Sequence, residues 1–209
     1  KKGKVGTAKV GFKADWGFSD FAMDYRKTLS GEQRRDVLQN AFYNDYISQG
    51  YSESESTQYA LEDADKYAPK PWCGYTDWRD IMFQKGSHSN YETNVSGGND
   101  RAKYYASLGY MNQEGITLNS GLRRISARVN TEFKATNHFT FGLNTMFSDV
   151  KQDAFSEGTS YTSPFYSTVS KVTPSDPVYN EDGSWNRDFI GNGDRNPLLS
   201  MKYDSKKEY

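Results

Sequence analysis

Cysteine is almost absent from this chain. Cys73 stands alone, so no internal disulfide is possible and the redox compartment is left open. No run approaches the roughly 18 consecutive apolar residues that a membrane-crossing helix needs. No charge sign prevails either: 26 Lys and Arg face 27 Asp and Glu, a formal charge of -1. A chain so balanced lacks the basic footprint expected of a nucleic-acid binder. An initiating Met and a signal peptide are missing too, the chain opening Lys1-Lys2-Gly3-Lys4. It reads as a fragment or a mature internal segment, so the missing signal says nothing for a cytoplasmic home.

What is present is tyrosine. The 209 residues include 16 Tyr, with aromatics at 15%, and yet the mean hydropathy is -0.90. That pairing is unusual for a compact soluble core. It suits β-structure in which one face meets water and the other carries amphipathic rings.

Five segments alternate with period two, the mark of a strand with two unlike faces. In the first, Val10, Phe12, Ala14, Trp16 and Phe18 oppose Lys9, Lys13 and Asp15. The second sets Tyr91, Thr93 and Val95 against Asn90, Glu92 and Asn94. The third sets Ala102, Tyr104, Ala106, Leu108 and Tyr110 against Lys103, Tyr105 and Ser107. In the fourth, Ile125, Ala127, Val129 and Phe133 oppose Arg124, Arg128 and Glu132. The fifth places Phe139, Phe141, Leu143 and Phe147 opposite Asn144 and Met146.

The connections alternate in length. Gly97-Gly98-Asn99-Asp100 and Lys134-Ala135-Thr136-Asn137-His138 are tight turns, whereas 19–89, 111–121 and everything after Asp149 are long. Short turns on one rim and long loops on the other describe an outer-membrane barrel. The first long connection predicts two helices. Ser30-Gly31-Glu32-Gln33 reads as a capping box ahead of Val37, Leu38, Ala41, Phe42 and Tyr46, with Gly50 as the stop. A second helix starts near Ser52 and ends before Pro69.

Alternation alone does not separate a lipid-facing barrel from a soluble sandwich, since each has one apolar and one polar face. Segment length favours the barrel, at about ten residues against the usual 5–6 of globular strands. Ring placement agrees: Trp16, Phe18, Tyr91, Tyr110 and Phe147 lie toward the long-loop rim, Phe133 and Phe139 toward the short-turn rim. Ala14, Ala106, Ala127 and Leu143 take the middle, which is a girdle pattern. A soluble or surface-attached all-β glycan-binding module stays open as the alternative.

A resemblance extends this reading. Thr76-Asp77-Trp78-Arg79-Asp80, the Ser96-Gly97-Gly98 turn, and Tyr104 to Tyr110 followed by Gln113-Glu114-Gly115-Ile116 resemble segments of SusC/RagA-type TonB-dependent transporters. Ser120-Gly121 with Arg124, Ser126-Ala127-Arg128 and Asn130 matches the strand that follows in that family. The match is dense from Thr76 to Phe147 and thinnest from Ser19 to Tyr75. It implies an all-β fold, a partial segment of a transmembrane antiparallel β-barrel of about 22 strands, plugged in the family, with a helical extracellular insertion. Residues 1–4 then end the plug/barrel junction. Residues 5–148 supply the first five barrel strands, with the helical insertion at 19–75. Residues 149–209 form a long extracellular loop leading toward the next strand.

The implied function is TonB-dependent import of an oligosaccharide or peptide across the bacterial outer membrane. The implied partners are a SusD-like surface lipoprotein, TonB (through a TonB box outside this chain) and outer-membrane lipid, with no cofactor and no nucleic acid. Lys13, Asp15, Arg124, Arg128 and Glu132 are expected to face the lumen or plug. Rings in the last loop, Tyr161, Phe165, Tyr166 and Trp185, are the expected substrate contacts. No catalytic or metal site is expected. The acids Glu53, Glu55, Glu62, Asp63 and Asp65 read as a solvated helix face rather than a glycosidase pair. His88 and His138 lack partners at ligand spacing, and Asn180-Glu181-Asp182-Gly183 falls short of a calcium loop.

Overall fold

The alternating segments become one antiparallel sheet in the computed structural model, which describes residues 3–22, 27–70, 74–155, 163–187, 189, 196–203 and 206–208. Its strands are β1 (Gly6–Ser19), β2 (Gly86–Gly98), β3 (Ala102–Glu114), β4 (Gly121–Lys134), β5 (Thr140–Ala154) and β6 (Lys206–Glu208). They hydrogen-bond in sequence order, each antiparallel to the one before. The sequence pattern predicted five strands. The sixth is a short strand on the outer end of β5, where Gln152 pairs with Glu208 and Ala154 with Lys206.

The turns follow from local chemistry. Gly98 has φ +156°, and a Cβ there would lie 2.5 Å from the Ala102 carbonyl oxygen, so only glycine fits. The Asn99 side chain then accepts from the Arg101 and Ala102 amides and closes the β2–β3 turn. Register follows from the two faces, since a one-residue slip would invert every side chain. Hence Phe12, Thr93, Leu108, Ala127 and Phe147 form one row across five strands, and Val10, Val95, Ala106, Val129 and Thr145 the next.

One expectation about rings needs correction. β5 continues to Ala154, so Phe147 sits mid-strand and Leu143 nearer the short-turn end.

The sheet forms one compact unit, and Ala22–Gln84 with Phe155–Ser205 form a second. In the second, α1 (Gly31–Ser48) and α2 (Glu53–Tyr67) each begin at a complete capping box, Ser30 with Gln33 and Ser52 with Glu55. Both boxes satisfy backbone amides that no helical turn can reach. The packed face of α1 is Arg35, Leu38, Phe42 and Tyr46, while Val37 and Ala41 of the predicted stripe are exposed. Arg34 and Arg35 donate to the carbonyls of Tyr67 and Ala68, capping the far end of α2 from outside, and Arg35 also pairs with Asp65. Burial lowers the pKa of Arg34, with Asp176 acting against it.

The remaining helices are short: α3 (Trp78–Met82), α4 (Pro164–Ser170) and α5 (Pro197–Tyr203). Their core is Trp78, Met82, Phe189 and Met201, all buried. The Trp78 indole N–H donates to the carbonyls of Thr173 and Asp176, and its ring packs on Phe189 at 5.3 Å. Fully buried Asn196 donates to Val178 and Asn186 while accepting from the Leu198 and Leu199 amides that open α5. Irregular chain is thus held by fixed polar contacts.

Candidate functional site

Among the described residues the sheet's apolar face is bare. Val10, Phe12, Trp16 and Phe18 are each more than 70% exposed, and Leu108, Leu143 and Phe147 are about 60% exposed. Rows of apolar side chains five strands wide, with no second layer over them, need an apolar surrounding. Tyr91 and Tyr110 pair directly toward the long-connection rim, and Phe133 packs at a tilt against Phe141 at 5.3 Å toward the other. This is the placement expected at two headgroup levels. No helix among the described residues is long and apolar enough to cross a membrane, which says nothing about strands.

The opposite face is polar and charged. Register places Lys13, Asp15, Arg124, Arg128 and Glu132 all on it. Asp15 lies 3.9 Å from both Lys13 and His88 and accepts from Asn90. Glu132 pairs with its cross-strand neighbour Lys103 at 3.3 Å. Among the described residues Arg124 and Arg128 pair with no carboxylate. Their guanidinium groups reach the thioethers of Met111 and Met146 at 3.8 and 3.3 Å, and sulfur is a weak acceptor. Between β2 and β4 a hollow of about 290 Å³ opens over Ser107, Gly109 and Ser126. Asn90 and Glu92 border it on one side, Arg124 and Arg128 on the other.

The ring-bearing loop has a different construction. Tyr161 lies outside the described residues. Phe165 packs edge-on against Phe83 at 5.6 Å and keeps 41% of its surface exposed, while Tyr166 is 43% exposed. Trp185 is less available. A β-bridge joins it to Tyr179, whose ring lies 4.7 Å away, and the Lys202 ammonium sits 5.2 Å from the indole centroid. Tyr179 and Tyr203 present more open surface than Trp185 does. Sequence reasoning chose Trp185 over Tyr179 because the hairpin pairing them becomes visible only in three dimensions.

The turn between those rings is held by Asp182, which accepts from both the amide and the hydroxyl of Ser184. Those bonds hold its carboxyl below the usual range. No group of three His, Cys, Asp or Glu able to hold a metal occurs among the described residues. In the α1–α2 pair, the rings of Tyr46, Tyr51 and Tyr59 pack together at 5.4–5.7 Å. The Tyr46 hydroxyl donates to Asp63, and that bond, helped by burial, pushes its pKa up to about 12.

No family model matches the chain. Among curated proteins it is 32% identical over 138 residues to TonB-dependent receptor P3 of Formosa agariphila, covering 63% of this chain and 14% of that one. It is 28% identical to TonB-dependent receptor SusC of Bacteroides thetaiotaomicron over 98% of this chain and 18% of the relative. The chain therefore spans less than a fifth of the relatives it matches. A solved structure of the RagAB peptide transporter superposes with a TM-score of 0.63 at 19% identity, covering 97% of this chain and a quarter of that one. These relatives are receptors and transporters, not enzymes. On sequence the chain is similar to TonB-dependent receptors of the SusC type, and it takes the fold of a part of the RagAB transporter.

Proposed function

We propose that the chain forms part of the wall and outer loops of a barrel that imports a nutrient by TonB-dependent transport, beneath a SusD-like surface lipoprotein. The carrying observation is the two-faced sheet, with exposed apolar rows on one side and paired charges on the other. In lipid, the apolar rows meet acyl chains, every interior strand has both backbone edges paired, and the charged face lines water. In this reading Lys13, Asp15, Arg124, Arg128 and Glu132 face the lumen or the plug. Residues 1–4 end the plug junction, 5–148 build wall with an insertion at 19–75, and 149–209 form an outer loop.

An oligosaccharide or peptide is the proposed cargo, and RagAB, whose fold the chain shares in part, is a peptide transporter. Half-exposed Phe165 and Tyr166 offer rings for stacking beside hydroxyl groups. Trp185, already packed, shapes the loop instead. Growth of a strain carrying the whole gene tests the reading, with a peptide mixture or an oligosaccharide mixture as sole nutrient. Import lost on deleting TonB and weakened by Phe165→Ala with Tyr166→Ala is the expected result. Import that persists without TonB contradicts it.

A further inference from the structure

We propose that Lys202, held over the rings of Trp185 and Tyr203, is a carboxylate-binding subsite, and that its ligand is an acidic oligosaccharide such as a chain of uronic acids. The proposal rests on the reading of 149–209 as an outer loop of an importer, and it names the class of cargo. A hairpin and a helix of the second unit build the site. In the hairpin, the Asn180 amide donates to the Ser184 carbonyl and the Asn186 amide to the Val178 carbonyl. That pairing sets Tyr179 beside Trp185. The last turn of α5 brings in Lys202 and Tyr203, fixed in place by Met201, which is buried. The Lys202 ammonium then lies 5.2 Å from the Trp185 ring centroid and 6.0 Å from that of Tyr203.

Packing alone would bury such a cluster, yet Tyr203 is 69% exposed, Tyr179 is half-exposed and Lys202 is open to solvent. Among the described residues Lys202 pairs with no carboxylate. Asp182 of the same hairpin is occupied by the amide and hydroxyl of Ser184. Ring faces attract the ammonium but are poor acceptors, so its three N–H donors stay available to an anion. Holding the long side chain over two rings also removes much of the ordering cost that a free lysine meets on binding. A carboxylate here gains a charge-assisted hydrogen bond. The open rings beside it suit the C–H face of a sugar, with the Tyr179 and Tyr203 hydroxyls near its alcohol groups. A peptide main chain finds less. Hairpin carbonyls that an added strand would use already accept: Val178 from the Asn186 amide and the Asn196 side chain, Pro177 from the Asn186 side chain, Trp185 from the Asn180 side chain. Recognition through side chains favours the sugar.

The test is calorimetric binding to the full-length protein in detergent. The probes are a pool of oligogalacturonate, oligomannuronate and oligoglucuronate, and the same pool after methyl esterification. Wild type should bind the acid pool about tenfold more tightly than the ester pool, the worth of one hydrogen bond to a charged group. Lys202→Met keeps the stem on the rings and drops the charge. It should lose that preference and leave ester binding unchanged, while Lys202→Arg should restore most of it. Tyr203→Ala should weaken both pools by a smaller factor. Limited proteolysis of the 155–205 region checks that each variant keeps its fold, and the comparison of pools on wild type needs no variant. Equal affinity for the two pools overturns the proposal, as does a folded Lys202→Met that keeps the preference, or an oligoglutamate peptide that binds as tightly as the acid pool. The importer reading fails separately, if growth on the acid pool survives deletion of TonB while binding still depends on Lys202.

Discussion

The sheet and the helical unit solve opposite problems. The sheet satisfies its backbone through neighbouring strands and leaves its large apolar side chains exposed, Phe18 at 82% and Val10 at 77%. The helical unit buries a few residues, Trp78, Met82 and Met201, and ties irregular chain together with side-chain-to-carbonyl bonds from Trp78, Arg35 and Asn196. One region relies on its surroundings to cover it and the other covers itself. Their sensitivities to mutation and to medium should therefore separate.

The largest separation should come from Trp78→Ala. It removes the ring that Phe189 packs on and the donor to two carbonyls, at a cost of about 3–5 kcal/mol. Proteolysis should then open the 155–205 region while the barrel keeps its gel shift. Leu108→Arg should do the reverse. A cation at mid-depth on the lipid face costs about 2–4 kcal/mol, so folding into vesicles should weaken, whereas Asn144→Arg on the polar face should fold normally. If both arginines cost the same, the two-faced account of the sheet fails.

The two regions were also unequally legible in the sequence. Strands were readable because period two survives from Val10 to Phe147, and one buried or lipid-facing side enforces register. β5 was cut short because Asp149, Lys151 and Asp153 replace apolar residues on that column from the Tyr91–Tyr110 level onward. The strand continues there on hydrogen bonds alone. The capping boxes of α1 and α2 were readable, since their chemistry lies within four residues. The stripe on α1 was not. Arg35 is buried because its guanidinium caps α2 and meets Asp65, a use that hydropathy cannot anticipate. The packing of Trp185 was hidden for the same reason, its partners Tyr179 and Lys202 being brought to it by the fold. The charges on the polar face were legible one strand at a time, but the Lys103–Glu132 pair needed the register.

A smaller effect tests the helical unit alone. Ser52→Ala removes the α2 cap at a cost of about 1 kcal/mol. The hydroxyl and amide of Ser52 hold the Glu55 carboxyl below its usual range. Its contribution is therefore present above the unfolded value and lost as pH falls through the lowered one. Hydrogen exchange in α2 should quicken in the variant at neutral pH, and the gap from wild type should narrow on acidification. A gap that widens would reverse the assigned sign. The sheet should show neither change.

The central claim is that residues alternate between lipid and lumen along each strand. It is tested most directly by a fluorophore placed in turn on cysteines at 104–110 of β3, in a Cys73→Ser background, with the full-length protein in vesicles of brominated lipid. The account predicts strong quenching at Tyr104, Ala106, Leu108 and Tyr110, and little at Tyr105, Ser107 and Gly109. Uniform quenching, or quenching at the odd positions, would contradict it.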